Sequence, residues 1–232
     1  RILKKLTPVL RQWDIVGSSR PDYFIAISER VKARVEQYYK RPVEAVIYPP
    51  VDTNKFKIKK QQGDYFLVVS RLVSYKRIDL IVDAFNELQL PIVIVGTGYE
   101  EKLLRNLASD TIHFVSSHLT DAELSAYYGS CRAFLSAADE DFGIAAVEAQ
   151  AAGAPVIAYA QSGTAEVVKD GKTGILFHEQ SKESIIEAVR KIQGMSIKKQ
   201  ACEENARQFK KERFVSVMKT LVEKLYNKYI KT

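Results

Sequence analysis

The chain has 232 residues, enough for one or two domains with a sizeable apolar core. It carries 35 Lys plus Arg against 28 Asp plus Glu, a formal charge of +7. Much of that excess falls in residues 1–11, 55–60 and 191–231, which suits either solvated basic helices or attraction to a phosphate-bearing ligand or an anionic membrane surface. No interleaving of aromatic and basic residues supports a nucleic-acid platform, no apolar run approaches the ~20 residues that cross a bilayer, and no signal peptide is visible. Cys131 and Cys202 match no zinc spacing and read as reduced thiols of a cytosolic protein.

In chain order, residues 1–18 predict an amphipathic helix already under way at Arg1, so a front portion is expected to be missing. A polar break at 17–21 leads to a strand over 23–27. Ser28 then predicts an N-cap for a helix over 29–40, with Val31, Val35 and Tyr38 on one face. A strand over 43–48 stops at Pro49-Pro50. Two strands and one helix make half a sheet, which cannot form an independent core. Residues 51–64, polar and basic, read as a linker.

From residue 65 the pattern becomes strand, loop, helix. Strands are predicted over 65–70, 91–95, 112–115, 133–136, 155–159 and 174–177. Helices alternate with them over 77–88, 99–107, 120–129, 143–152, 163–169 and 182–193. Most of the strands are continuous apolar runs, as a parallel sheet covered on both faces requires. Thr120 with Glu123 predicts a capping box, and Gly153 before Pro155 a helix stop. Helices over 197–209 and 212–231 follow with no strand after them. The fold class is α/β: a doubly wound parallel sheet over 65–195, a tail over 196–232 packing back across the molecule, and a fragment of a second domain over 1–50.

The chemistry concentrates at the strand ends, where open α/β sheets bind ligands. The turn after the first strand of the complete sheet lacks the glycines of a dinucleotide fingerprint and offers Arg71, Lys76 and Arg77 instead. Gly96 and Gly98 follow the second strand without a third glycine, and serve either a phosphate or a tight turn. After the fourth strand comes Asp139-Glu140-Asp141, then Phe142, Gly143 and Ile144 at a helix start, whose N–H groups and dipole supply partial positive charge. Glu140 and Glu148 stand eight positions apart and are expected to line one crevice. The acids also suit a helix start, and Glu148 also suits a surface. Cations for phosphates and carboxylates for hydroxyls match the two halves of a sugar nucleotide. Asp139-x-Asp141 also fits a short metal signature; because Arg71 and Lys76 could neutralise a diphosphate, no metal is expected. His113 and His178 read as structural, whereas His118, beside Leu119 in a polar loop, is a candidate ligand contact.

Together, SRLVSYKRIDLIVDAF, IVIVGTGYEEKLL, EDFGIAAVEAQAAGAPVIAYAQSGTAEVV and DGKTGILF resemble the family 4 retaining glycosyltransferases of the GT-B fold. The front piece, RQWDIVGSSRPDYFIAISERVKARVEQYYKRPVEAVIYPPVD, resembles the end of that family's N-terminal domain and its interdomain linker, nearest to mannosyltransferases acting on lipid-linked or polysaccharide acceptors. The resemblance implies that Glu140 contacts the donor sugar, Glu148 holds the ribose hydroxyls, and Arg71 with Lys76 stabilises the leaving diphosphate. It also implies that the backbone of Phe142, Gly143 and Ile144 faces sugar and phosphate, and that Gly96, Gly98, His118 and Leu119 lie on the donor side. The implied donor is GDP-mannose, with UDP-sugars next, and no cofactor is implied. The acceptor would be a glycan or a lipid-linked sugar, at a cytoplasmic site with peripheral contact to the inner membrane face. Two departures stand out: Ser116-Ser117-His118 replaces the glycine usual after the third strand, and most of the acceptor domain is absent. Activity is therefore expected only with that domain or a partner chain. The alternatives are a non-catalytic sugar-nucleotide-binding subunit, an epimerase of similar fold and, more remotely, an NAD-dependent oxidoreductase.

Overall fold

A computed structural model describes residues 2–59 and 63–230; Arg1, residues 60–62 of the expected linker, the last residue of the expected final helix and Thr232 lie outside it. The front piece comprises α1 (Ile2–Gly17), β1 (Ile25–Ala26), α2 (Glu29–Tyr39) and β2 (Ala45–Val46). Its strands pair in parallel but are two residues long each, shorter than the sequence predicts. Just outside them, the Glu44 N–H donates to the Phe24 carbonyl and the Ile47 N–H to the Ala26 carbonyl, both at 2.9 Å. Ser28 caps α2 as expected, accepting a hydrogen bond from the Val31 N–H at 3.0 Å. On α1, Val9, Leu10 and Trp13 are exposed.

The main sheet holds β3 (Phe66–Val69), β4 (Ile92–Val95), β5 (Ile112–Val115), β6 (Phe134–Ser136), β7 (Val156–Tyr159) and β8 (Gly174–Phe177), all parallel, in the order β5-β4-β3-β6-β7-β8. Alternate residues of a strand enter opposite layers. Phe66 and Val68 pack in one core cluster with Ile81, Phe85, Ile185 and Val189, while Leu67 joins the other with Tyr128, Val147 and Val156. The helices of the first layer are α3 (Ile78–Leu88) and α7 (Lys182–Gln193), with α4 (Glu101–Leu107) beside α3. In α3, Ile78, Ile81, Val82 and Phe85 are buried at the spacing of one helical face. The second layer has α5 (Asp121–Ser130), opened by the predicted capping box, and α6 (Ile144–Ala151). Alanines let α6 sit between the sheet and α8 (Lys199–Ala206) at close range.

Three segments differ from expectation. The expected helix at 163–169 is a 3-10 turn, Gly163–Val167, and its first residue lies under the Asp141 carbonyl, where a Cβ would approach the oxygen to 2.1 Å. The helix expected from Arg77 is preceded by a 3-10 turn, Ser74–Lys76, and Arg77 forms the joint at φ 53°. In the expected linker, Val51 and Phe56 are buried in the second layer, and the Val51 N–H donates to the Phe209 carbonyl at 2.9 Å. The tail continues from α8 through a 3-10 turn (Arg207–Phe209) into α9 (Lys211–Tyr229), whose Lys228 lies 5.7 Å from the Tyr23 ring centre. It thus reaches back to the front piece.

Candidate active site

Strand order reverses between β3 and β6, so the loops leaving their carboxyl ends diverge and open a crevice. Its volume is about 610 Å³, and it is lined by Arg71, Tyr75 and Lys76 from the first loop, Asp139 to Ile144 from the second, and Ile27 and Pro49 from the front piece. Buried Leu72 anchors the first loop. Arg71 donates to the Tyr75 hydroxyl at 2.9 Å. Lys76 Nζ donates to Glu140 Oε1 at 2.6 Å and lies 5.0 Å from the Tyr75 ring centre. The Lys76 and Glu140 side chains are only 12% and 25% exposed, so this pair sits inside the crevice rather than on its rim. Arg77 instead turns to its own helix and pairs with Asp79 at 3.0 Å.

The second loop is held on several sides. The Glu140 carbonyl accepts from the Gly163 N–H at 2.7 Å. The Phe142 ring is 3% exposed. It stacks on Tyr48 at 5.5 Å and meets Phe209 edge-on at 5.5 Å, so Phe142 contributes an anchor, and only its backbone can serve a ligand. Gly143 takes φ +102°, and a Cβ there would lie 2.4 Å from Thr164 Oγ1. Among the described residues, the Thr164 hydroxyl is the buried side-chain polar atom that lacks a hydrogen-bond partner. Ile144, the first residue of α6, is half exposed at 50%.

Asp139 and Asp141 line the same crevice but pair with the front piece rather than with Lys76. Arg30 of α2 grips Asp139 with two hydrogen bonds, and Arg34 one turn later pairs with Asp141. Glu166 accepts from the backbone N–H groups of Glu29 and Arg30 at 2.9 and 3.0 Å, capping α2 from across the crevice. Tyr48 beside it has its hydroxyl pKa raised, by burial first and by the Glu166 carboxylate second. Arg30, Arg34, Glu166 and Thr164 escape a reading of the sequence: the charged partners lie more than a hundred positions apart, with no local spacing to signal them.

A second recess of about 480 Å³ continues past Arg71 and is lined by Gly96, Ser116, Ser117, His118 and Leu119 among others. Ser116, standing where a glycine was expected, donates to Glu101 at 2.5 Å and accepts from Arg105 at 2.8 Å. The Ser116 hydrogen bond, with Arg105 second, lowers the Glu101 pKa. Gly96 and Gly98 serve loop crossing: a Cβ on Gly96 would come within 1.9 Å of the Ser70 oxygen, and one on Gly98 within 2.1 Å of the Leu72 oxygen. Gly98 lines neither space.

Glu148, expected to share one crevice with Glu140, is not among the residues that line either space. Five residues into α6, Glu148 faces α5 and accepts from the Tyr128 hydroxyl at 3.1 Å. Burial, the largest cause, raises its pKa; the Tyr128 hydrogen bond opposes the shift, Asp121 adds to it and Lys55 opposes it.

The sequence profile described as "Glycosyl transferases group 1" matches residues 51–209. An uncharacterized glycosyltransferase of Methanocaldococcus jannaschii is 26% identical over 205 residues, covering 84% of this chain and 56% of that protein. A GDP-mannose-dependent alpha-(1-6)-phosphatidylinositol monomannoside mannosyltransferase of Mycobacterium tuberculosis is 33% identical over 174 residues, covering 62% of this chain and 45% of that one. In fold, the chain superposes on a sucrose-phosphate synthase from Thermosynechococcus elongatus with a TM-score of 0.81 at 20% identity, over 94% of this chain and 61% of the other. The chain spans about half the length of the curated relatives it matches. A profile match over well over half its residues, on a doubly wound sheet of the GT-B type, places the chain in the glycosyl transferases group 1 family.

Proposed function

We propose that this chain is the donor-binding part of a retaining glycosyltransferase, which holds a nucleotide sugar and transfers its sugar to a glycan or lipid-linked acceptor. The observation that carries the reading is the meeting of Arg71, Lys76 and Glu140 at the point where strand order reverses, beside the start of α6. Arg71 and Lys76 would hold the diphosphate and stabilise its charge as the sugar departs, which is electrostatic catalysis by groups already in place. No metal is invoked. Lys76 is now engaged with Glu140; with donor bound it would share its protons between that carboxylate and a phosphate oxygen, leaving the second Glu140 oxygen for sugar hydroxyls. The recess at His118 and Leu119 would take the base. Glu148, buried beside Tyr128, would need to change partner to reach a ribose hydroxyl.

The resemblance to mannosyltransferases and the 33% identity to a GDP-mannose-dependent relative favour GDP-mannose, with UDP-sugars next. Among the described residues no helix is long and apolar enough to cross a membrane. We place the protein in the cytoplasm, with its basic ends available for peripheral contact with the inner membrane face. Turnover should require an acceptor domain supplied by the rest of the polypeptide or by a partner chain. The competing reading is a sugar-nucleotide-binding subunit without catalysis of its own.

Calorimetric titration with GDP, UDP, ADP and their sugars tests the proposal. One nucleotide should bind, and Lys76→Met should weaken it by roughly 10- to 100-fold, the loss of a charge-assisted hydrogen bond. Binding of none, or an unchanged affinity in Lys76→Met, would overturn it.

A further inference from the structure

The donor reading poses an electrostatic difficulty. Asp139, Glu140 and Asp141 place three carboxylates at the mouth of a crevice meant for a diphosphate, and Arg71 with Lys76 supplies only two cations. Left so, the mouth would be one charge negative, and it would repel the ligand it is built to hold.

The front helix resolves this. Arg30 and Arg34 stand one turn apart on α2, on one face, and take the two flanking aspartates. With both aspartates paired in this way, Glu140 is the carboxylate left facing Lys76. Neither pair is built for stability. Arg30 and Asp139 are 38% and 46% exposed, and Arg34 and Asp141 are 54% and 57% exposed, a setting in which ion pairs add little. Their placement is nonetheless fixed. Glu166 holds the first turn of α2 through two backbone N–H groups, and Ser28 caps it, so both guanidinium groups are presented to the loop.

We infer that Arg30 and Arg34 are positioning residues for the donor: they hold and neutralise the two aspartates beside Glu140, and so set the affinity for a diphosphate without touching it. The inference rests on the donor reading above and ties that site to the front piece through charge.

The test is calorimetry on this chain at low salt, with GDP and UDP set against guanosine and uridine. Arg30→Gln with Arg34→Gln should weaken diphosphate binding about tenfold, leave nucleoside binding unchanged, and lose most of this difference at high salt. The charge-keeping pair Arg30→Lys with Arg34→Lys should stay near wild type. Adding Asp139→Asn and Asp141→Asn to the glutamine pair should restore affinity, and those two substitutions alone, with both arginines kept, should tighten diphosphate binding. The inference is overturned if the glutamine pair binds GDP and UDP as wild type does. It is equally overturned if nucleosides weaken in parallel and the asparagine pair restores nothing, since that is the behaviour of a purely structural contact. Wild-type protein that binds neither diphosphate would remove the donor reading itself, a result distinct from both.

Discussion

Replacing Gly96 with alanine separates two meanings of the glycines after β4. If they are a phosphate cradle, the substitution should cost nucleotide affinity and spare the fold. The structure argues otherwise. The loops after β3 and β4 are laced together: Ser70 N–H donates to the Val95 carbonyl at 3.0 Å and Leu72 N–H to the Thr97 carbonyl at 2.9 Å. A Cβ on Gly96 would sit 3.0 Å from the Ser70 carbonyl carbon and 1.9 Å from its oxygen, the latter more than an ångström inside contact distance. The obstacle is backbone, which no rotamer change can relieve. Forcing extra volume into a packed site costs about 1–3 kcal/mol, and an alanine at φ +140° adds about 1–3 kcal/mol of strain. Together these give roughly 2–6 kcal/mol, which for a domain of this size lowers the melting temperature by roughly 4–24 °C. Thermal unfolding followed by circular dichroism, without any nucleotide, measures it. Gly98→Ala should behave alike, since its Cβ would meet the Leu72 oxygen at 2.1 Å. A Gly96→Ala protein melting within ~1 °C of wild type would refute the argument and return the glycine to the ligand.

Two further outcomes follow from buried titratable groups. Burial raises the Glu148 pKa above its ordinary value of 4.5, so the folded state holds that proton more tightly than the unfolded chain. Its contribution to stability is then fully present at low pH and declines as pH rises from the ordinary carboxylate range through the raised value. Glu148→Gln should therefore gain on wild type in melting temperature between about pH 4 and pH 7, and a flat or falling difference would contradict this. Cys131 and Cys202 are 1% and 0% exposed, with burial pushing both thiols up to about 12. A disulfide-exchange reagent at mildly alkaline pH should label neither until guanidinium unfolds the chain; labelling of the native protein would refute it.

The main sheet was legible because its strands are short runs of apolar, often β-branched residues, a composition that only a sheet covered on both faces accommodates. Helix starts were legible where a cap is written locally, as at Ser28 and Thr120. Arg71, Lys76 and Glu140 could be grouped because topology alone brings the ends of β3 and β6 together. What escaped depends on direction rather than position. Glu148 has the right spacing from Glu140, yet its side chain faces Tyr128. Arg30 and Arg34 carry no local signal, and their partners become visible only when α2 docks. Glu166 read as part of an ordinary helix, whereas it lies in a 3-10 turn and its carboxylate caps α2.

Phe142 shows what this docking does for the site. In sequence it is the residue before the helix start, expected to matter through its backbone. Its ring meets Tyr48 from the end of the front piece and Phe209 from the tail, and those two meet each other at 5.4 Å. Each such aromatic pair contributes about 0.5–1.5 kcal/mol beyond the area it buries, and the Val51–Phe209 backbone hydrogen bond fastens the same junction. Neither the front piece nor the tail is thus an appendage to the sheet. Between them they clamp the residue that follows Asp141, while Gly163 fixes the Glu140 carbonyl and Arg30 and Arg34 hold the flanking aspartates. A glutamate in an open loop would sample many directions; this one is restrained on every side but the crevice, and Lys76 is what it finds there.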